Sequence, residues 1–529
     1  MIGSAGETAE EGTAEVLGLR YLRHSILVGV AAAAAFPAAS SAGLLPPQTL
    51  DAGTGKDALQ VGTSIGSHKA WAGFIQQTGG HDRLYAAYAR NGAFHAPFAV
   101  DNGNAIEGGE LAGSENGTAV AVWTEKVNGK GVVFGRRLTG GKAGPAVQIS
   151  APGEDAGAGG NGMFEFDRAW GLAMNAKGAA ALCYGDATAM KSHVAVLAAG
   201  QNQWQSYTLD TGCSDPGIDG RGNVAVFDGK FASRVVNGQV IKDDLAANYM
   251  DEGSLAVGPG GTALAVGRDN NFHVFAYRMV DIASNTPWQM VGGNLEEGLI
   301  ATPGLSPEDP FAALDAHGNG AVTFRDNSAA NPHGYYRLVT AGTPGDGGTL
   351  YASGSRGRIA VDGNGNPIVA YSAADFKSSL VRRFTGGAFA PELPLAPSLT
   401  DYTVPSSVGI DANSAGDFIV LVAQGLNPTT LHAVFGDFNP PILRPKAKPK
   451  KPKVDQKVKL KSRATDSFAS LNGSAVSWSL PAGVQRARTQ TGKTIKVRFT
   501  NPGRYKIVVT ATDPGGNQTQ KKLKLHVKR

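Results

Sequence analysis

A short motif that recurs along the chain constrains the fold more than any other feature of the sequence. Its clearest copy is RIAVDGNGNPIVAYS (Arg358–Ser372), in which a turn of Asp, Asn and Gly separates two apolar runs. Eight copies align on the glycine that ends this turn, with successive glycines 39 to 61 residues apart. The aligned glycines are Gly66, Gly117, Gly178, Gly222, Gly261, Gly318, Gly365 and Gly416. Such a variable interval argues against a rigid solenoid and indicates propeller blades with loops of variable length.

Each copy has room for four strands. In the clearest copy we predict strand A at Arg358–Val361, strand B at Pro367–Ala373, strand C at Ser379–Phe384 and strand D at Phe389–Leu395. Strand B is apolar at consecutive positions, as expected for a strand covered on both faces. The aromatic residue six positions after the glycine is predicted to pack between blades. These residues are Trp123, Tyr184, Phe324 and Tyr371.

The first segment of the repeat region predicts how the ring closes. The last copy lacks a strand D of its own, whereas LLPPQTL (Leu44–Leu50) resembles one. We therefore expect this N-terminal strand to complete the last blade, which removes exposed sheet edges. The sequence predicts an all-β chain in which residues 43–438 form a seven- or eight-bladed β-propeller.

The motif RIAVDGNGNPIVAYS resembles the extended-loop propeller repeats of secreted bacterial proteins and, in part, NHL repeats. The resemblance covers Leu44–Phe438 and implies an architecture without implying catalytic residues. Sialidase-type propellers carry Asp boxes of the form Ser-x-Asp-x-Gly-x-x-Trp, and no copy here has that full pattern.

The composition changes after Phe438. Residues 439–453, NPPILRPKAKPKKPK, are predicted to form an extended Pro/Lys-rich linker. Residues 454–529 contain alternating apolar strands, and NPGRYKIVVTATDPGGNQ (Asn501–Gln518) resembles the end of PKD or Ig-like domains. The resemblance implies a small β-sandwich. The acidic turn typical of that family is missing at Ser477–Pro481, so a ligand is not carried over.

The N-terminal residues predict export. Residues 1–42 are interpreted as a signal peptide with extra upstream residues, with basic Arg20 and Arg23 before an apolar Ile26–Phe36. No later apolar stretch is long enough to cross a bilayer. The predicted location is therefore secreted, extracellular or associated with the cell envelope. Two cysteines, Cys183 and Cys213, form a candidate disulfide in such a compartment, with two buried thiols as the alternative.

Charge is distributed unevenly along the 529 residues. From Arg444 to Arg529 there are 22 Lys and Arg against three acids, a net charge of +19. The other residues hold 27 basic and 41 acidic side chains, a net charge of −14. We interpret the basic module as an attachment site for extracellular polysaccharide or an anionic cell-wall polymer. The alternative is solubility plus attraction to the acidic propeller. No nucleic-acid motif is present.

Five acids follow strand B in successive copies, and equivalent loop positions in a propeller lie on one face. We interpret them as a possible ring of carboxylates that binds cations, polyols or a basic partner, with acids that merely face water as the alternative. The five are Glu125, Asp186, Asp228, Asp269 and Asp326.

The sequence predicts neither a catalytic residue nor a metal site. The run Asp362-Gly-Asn364-Gly-Asn366 resembles the start of a calcium loop, but Ala373 occupies the position of the bidentate Glu, which favours a structural turn. We expect no cofactor, with calcium as the weaker alternative, and a monomer that binds polysaccharide, wall polymer or protein without catalysis.

The alternative is a secreted glycosidase-like enzyme on the propeller. Convergent carboxylates beside an arginine or tyrosine in a deep central cleft would favour the enzyme, and a shallow glycine-lined face would favour binding.

Overall fold

A computed structural model describes residues 43–157, 171–245, 250–299, 307–326, 333–352, 354, 357–373, 375–395, 403–425, 428–486 and 489–529. The predicted signal peptide at 1–42 lies outside these residues. Every strand pair named below is antiparallel. Among the described residues, no helix has the length and hydropathy that a bilayer crossing needs.

Eight sheets follow one another along the described part of the chain up to Gly436. Sheets 1 and 2 contain β2 (Ala58–Gly66), β3 (Lys69–Thr78), β4 (His81–Arg90), β5 (Ala93–Phe94) and β6 (Phe98–Ala99), then β7 (Ile106–Gly113), β8 (Thr118–Val127), β9 (Lys130–Thr139), β10 (Lys142–Ala143) and β11 (Val147–Gln148). Sheets 3 and 4 contain β12 (Ala156–Gly157), β13 (Gly171–Met174), β14 (Ala180–Asp186), β15 (Lys191–Leu197) and β16 (Trp204–Leu209), then β17 (Gly217–Ile218), β18 (Val224–Phe227), β19 (Phe231–Val236) and β20 (Gln239–Asp244).

Sheets 5 to 8 repeat the arrangement. Sheets 5 and 6 contain β21 (Met250–Val257), β22 (Ala263–Asp269), β23 (Val274–Met279) and β24 (Gln289–Gly292), then β25 (Pro307–Leu314), β26 (Gly320–Asp326), β27 (His333–Thr340) and β28 (Thr343–Tyr351). Sheet 7 contains β29 (Arg358–Val361), β30 (Pro367–Ser372), β31 (Ser379–Thr385), β32 (Ala388–Phe389) and β33 (Leu393–Pro394). Sheet 8 contains β34 (Thr403–Ala412), β35 (Phe418–Gln424), β36 (Thr430–Gly436) and the N-terminal β1 (Gln48–Leu50).

The sheets up to Gly436 are arranged as a β-propeller ring. The innermost strand of each sheet contacts the innermost strand of the next, and β34 of sheet 8 contacts β2 of sheet 1. The N-terminal strand β1 pairs with β36, where Thr49 lies opposite His432, and Leu50 is 1% exposed. The predicted closure by the N-terminal strand is therefore confirmed.

Aromatic residues fill the spaces between sheets, as the repeat predicted. Trp123 packs with Trp71 and Leu84 of the preceding sheet, and Tyr184 packs with Val120 and Val122. The equivalent Phe324 and Tyr371 are buried in the same way against the sheets before them. Consecutive apolar residues in the second strand therefore serve two interfaces at once, one on each face.

The repeat turn is held by its own first side chain. Asp362 Oδ1 accepts hydrogen bonds from the backbone N–H groups of Asn364 (2.8 Å) and Asn366 (2.9 Å), and Gly365 has a φ of +75°. An L-residue with a Cβ is disfavoured at that φ, which explains the glycine. The same bonding pattern starts at Asn175, Asp219, Asp315 and Asn413. The Asp-Asn run is a structural turn, as the sequence favoured.

The remaining strands form a C-terminal module of two sheets. One sheet contains β37 (Ile442–Lys448), β38 (Val458–Thr465) and β41 (Thr494–Val497), and the other contains β39 (Val476–Ser479), β40 (Thr489–Thr491), β42 (Gly503–Thr512) and β43 (Gln518–Val527). A shared core contains the fully buried Trp478 and Phe499.

The linker prediction for residues 439–453 is wrong for Ile442–Lys448, which is β37. Proline and lysine are typical of linkers, but Leu443 and Ala447 alternate with polar residues and point into the module core. Pro445 is tolerated because β37 is an edge strand, where one side needs no backbone donor.

The module packs directly on the ring instead of hanging from a spacer. Phe468, in the loop after β38, enters the core beside Phe435, with ring centroids 5.4 Å apart. Ser470 N–H donates to Asn91 Oδ1 (3.0 Å), and Gly43 N–H donates to the carbonyl of Gly515 (2.9 Å). The contacted ring surface belongs to the turns of sheets 1 and 8.

Candidate functional site

The five acids predicted from the repeat lie at the ends of equivalent strands and face inward. Glu125, Asp186, Asp269 and Asp326 are 1 to 6% exposed, and Asp228 is partly buried. Their burial contradicts the alternative that they merely face water. Their role in ligand binding stays a prediction.

Backbone N–H groups donate hydrogen bonds to two of these carboxylates. Asp269 Oδ1 accepts from the N–H groups of Asn271 (2.9 Å) and His273 (2.8 Å), so it closes the turn that leaves its strand. Asp228 accepts from Phe231 N–H (2.6 Å) and from Gly212 N–H (3.0 Å).

The other acids have comparable partners. Glu125 Oε1 accepts from the indole of Trp123 (2.7 Å), and Oε2 accepts from Asn104 Nδ2 (2.9 Å). Asp186 Oδ1 accepts from Thr188 N–H (2.9 Å) and has Glu154 and His193 as neighbours. Turn formation therefore accounts for Asp186, Asp228 and Asp269, whereas Glu125 is held by side chains of its own sheet and of the preceding loop.

The two cysteines are joined. Cys183 in β14 and Cys213, between β16 and β17, form a disulfide with a Cα–Cα distance of 5.6 Å. Both side chains are buried between sheets 3 and 4. The bond therefore links two neighbouring sheets covalently.

The innermost strands surround a central channel that the sequence reasoning did not identify as a site. A cavity of about 720 Å³ runs along β2, β7, β13, β29 and β34, and glycines of β2, β7 and β34 line part of its wall. Among its polar lining residues are Glu110, Arg358 and Asp411. An adjoining cavity of about 290 Å³ shares Glu110 and Arg358.

One layer of side chains defines the smaller cavity. Its members all stand seven residues before a repeat glycine, at the same position of successive inner strands. They are Glu110, Gly171, Asp215, Ser254, Phe311 and Arg358. We call these six residues the channel layer. Their common spacing from the glycine is a signal that could have found the site from the sequence.

The channel layer combines acidic, basic, hydroxyl and aromatic groups. Arg358 stacks on Phe311, with its guanidinium carbon 4.1 Å from the ring centroid. The pKa of Glu110 is raised to about 8, mainly by burial and also by the charge of Asp215, against the opposing effect of a hydrogen bond from Leu172 N–H. Glu110 can therefore hold a proton near neutral pH.

Polar groups of the inner strands also join neighbouring sheets. Asp411 Oδ2 accepts from Ile65 N–H (2.8 Å), and Ser254 Oγ accepts from Ala312 N–H (3.1 Å). Burial raises the pKa of Asp411 to about 7. The channel thus holds two carboxyl groups that are easily protonated.

The exposed face of the β37–β38–β41 sheet forms a second candidate site. Along β38 the side chains alternate strictly between buried and exposed, which places every exposed residue on one face. Cross-strand pairs on that face set Arg444 opposite Arg463, Lys446 opposite Lys461, and Lys448 opposite Lys459, which is also opposite Lys496. All seven are exposed. We call this set the basic face.

Comparisons with known proteins identify neither a family nor a function. No family model and no curated protein matches the chain. Among solved structures, virginiamycin B lyase from Staphylococcus aureus with quinupristin is 10% identical, with a TM-score of 0.38, over 74% of this chain and 99% of that one.

Two other propellers are similar at the same level. The propeller domain of the trilobed protease from Pyrococcus furiosus is 12% identical, with a TM-score of 0.41, over 66% of this chain and 98% of that one. The Dos1 propeller is 8% identical, with a TM-score of 0.42, over 74% and 94%. Likenesses this distant assign no activity, so function rests on the sites above.

Proposed function

We propose that this chain is a secreted or envelope-associated binding protein that attaches to an anionic extracellular polymer. In this proposal an eight-bladed propeller is the platform, a PKD/Ig-like sandwich is the anchor, and the basic face makes the contact. The observation that carries the proposal is that like charges stand directly opposite one another on that face.

Directly opposed like charges destabilise a sheet. Among the described residues, none of the seven cations of the basic face is in an ion pair. Contacts that join the module to the ring, such as Phe468 with Phe435 and Ser470 with Asn91, lie outside the basic face. Attraction to the acidic ring therefore does not account for these charges, whereas a polyanion would neutralise them.

The test compares two triple variants of the full chain on immobilised dextran sulfate, with uncharged dextran as the reference surface. Lys446→Gln/Lys459→Gln/Lys461→Gln removes three charges from the basic face. The control Lys142→Gln/Lys177→Gln/Lys377→Gln removes three exposed charges from the ring.

We expect the first variant to bind about 10- to 100-fold more weakly, since each lysine contributes about 1 kcal/mol near an anionic surface. The control should change by less than about twofold. Wild-type affinity should fall steeply with salt, and the first variant should show a smaller slope. Equal weakening by both triples, or salt-independent binding, would contradict the proposal.

A second candidate function follows from the channel layer. Glu110, whose raised pKa favours its protonated form near neutral pH, lines the same cavity as Asp215 and Arg358, and glycoside hydrolysis requires a protonated and an ionised carboxyl group. This arrangement favours a carbohydrate-active enzyme, whereas the glycine-lined part of the channel favours binding alone.

Reducing-end assays on a polysaccharide panel distinguish the two candidates. Under the enzyme proposal, Glu110→Gln and Asp215→Asn each abolish product release, and Asp82→Asn, an exposed acid of the ring outside the channel, leaves it intact. Polysaccharide binding without any product from the wild-type chain would contradict the enzyme proposal.

A further inference from the structure

Three carboxylates meet where the C-terminal module contacts the ring. Asp437 follows β36 of the ring, while Asp466 follows β38 and Asp513 follows β42 of the module. One carboxylate oxygen from each lies within 4.8 Å of those of the other two. The three are separated in sequence by up to 76 residues, and Asp437 joins the two module acids only because the module docks on the ring.

Two oxygens of this group have no partner although they are buried. Asp437 is 0% exposed, and its Oδ2 has no hydrogen-bond partner. Asp466 Oδ2 is likewise buried and unpartnered. An unsatisfied buried carboxylate oxygen is costly, and native proteins avoid one unless an ion or water is bound there.

The other oxygens are fixed by the backbone. Asp466 Oδ1 accepts from Phe468 N–H (2.9 Å) and Ala469 N–H (3.0 Å), and Asp513 Oδ1 accepts from Asn517 N–H (2.8 Å). Asp437 Oδ1 accepts a longer bond from Asn439 N–H (3.3 Å). The loops therefore hold the carboxylates in place.

The local electrostatics are those of a group of buried acids. The pKa of Asp437 is raised to about 8, mainly by burial and also by the charges of Asp466, Asp513 and Asp417. Burial also raises the pKa of Asp466 and of Asp513.

We propose that Asp437, Asp466 and Asp513 bind a hard divalent cation, Ca²⁺, which joins the C-terminal module to the ring. All three donors are carboxylate oxygens, which suits Ca²⁺ and not a thiophilic metal. The separation limit of 4.8 Å is about twice a Ca²⁺–O bond of 2.3 to 2.6 Å, so one ion can contact all three. The cation neutralises the group and pairs the two orphaned oxygens.

The test uses the full chain after chelation and dialysis, titrated with CaCl₂ by isothermal calorimetry. We expect one specific site, and a melting temperature that is higher in CaCl₂ than in EDTA, because the ion binds the docked form. MgCl₂ should bind more weakly, because Mg²⁺ gives up its water less readily.

Two isosteric variants separate ion binding from folding. Asp466→Asn keeps an oxygen for the N–H groups of Phe468 and Ala469, and Asp437→Asn keeps the shape of the fully buried side chain. Each should weaken Ca²⁺ binding by more than about 100-fold, since loss of an outer-shell partner alone costs 10- to 100-fold. Each should also raise the melting temperature in EDTA, because repulsion between carboxylates is relieved.

The control variant is Asp82→Asn, an exposed acid of the ring, which should leave both effects unchanged. The proposal is overturned if the wild-type chain shows no saturable Ca²⁺ site, or if Asp437→Asn and Asp466→Asn bind Ca²⁺ as the wild type does. It is also overturned if Asp82→Asn reduces binding as much as they do.

Discussion

The ring and the C-terminal module use their charged residues in opposite ways. In the ring, buried acids such as Asp219 and Asp269 accept backbone hydrogen bonds and close turns. In the module, lysines and arginines stand on an exposed face beside one another, as Lys446 does beside Lys461. The buried acids of the ring therefore stabilise its own turns, whereas the cations of the module are exposed to solvent.

The difference also concerns how each part is held together. The ring depends on contacts between segments far apart in sequence, including β1 with β36. The module has a compact core around Trp478 made by residues within one stretch of chain. Substitutions in the ring test this comparison most directly, because the largest effects on stability are expected there.

The largest expected effect comes from the closing strand. Leu50→Ala should lower the free energy of unfolding by about 2 to 5 kcal/mol, because it removes a side chain that is 1% exposed from the junction of sheets 8 and 1. The matched control Leu59→Ala changes a leucine that is 50% exposed and should cost less than about 0.5 kcal/mol. Urea denaturation followed by tryptophan fluorescence measures both, and equal losses would contradict a ring held by its closure.

The disulfide should come next. Replacing Cys183 and Cys213 by alanine should cost about 2 to 4 kcal/mol, because the bond closes a segment of 30 residues in the unfolded chain. Calorimetric melting with and without dithiothreitol measures the effect. The double variant should be indifferent to the reductant, and a wild type that is equally indifferent would show that the bond adds no stability.

The smallest effect concerns pH and the channel. The pKa of Glu110 is raised from 4.5 to about 8 in the folded protein, so folding favours its protonated form. Its contribution to stability is full below about pH 4.5 and is lost as the pH rises through 8. Glu110→Gln should therefore reduce the loss of unfolding free energy over this window by an amount on the order of 1 kcal/mol. In a melting experiment this appears as a flatter decline of the melting temperature with pH.

A control separates this effect from general charge. Glu107→Gln on the same strand removes an exposed carboxylate that pairs with Lys126 and should leave the pH profile unchanged. A decline between pH 4 and 7 should persist in both variants, because the pKa of Asp411 is also raised, to about 7. An identical profile for wild type and Glu110→Gln would contradict the role given to Glu110.

The ring could be predicted well from the sequence because each repeat contains its own turn residues and its own apolar strands. Strand bounds around Gly365 agree with the structure within a residue or two, apart from the outer strand, which is split into Ala388–Phe389 and Leu393–Pro394. The first copy is an exception, because its central turn has a different conformation. There His68, at φ +63°, adopts the left-handed conformation instead of Gly66.

The sites were harder to predict for physical reasons. Acids such as Asp269 recur because turns need hydrogen-bond acceptors, so their recurrence marks a structural role and not a ligand site. Residues of the channel layer, such as Glu110 and Arg358, differ from sheet to sheet, and a search for similar residues passes over them. The group around Asp437 depends on how the module docks, which no local pattern encodes.

The closing strand also sets a condition on how the protein can be made. Strand β1 has no partner until residues Thr430–Gly436 have been synthesised, and it then meets a segment about 380 residues later in the chain. Until that moment sheets 1 to 7 can assemble only as an open arc with an unsealed end, and contacts so distant in sequence form slowly. A nascent or truncated chain would therefore expose a strand edge with unpaired backbone N–H and C=O groups, to which chaperones or other copies could bind. Completion of the last sheet makes the difference between an aggregation-prone arc and a sealed ring.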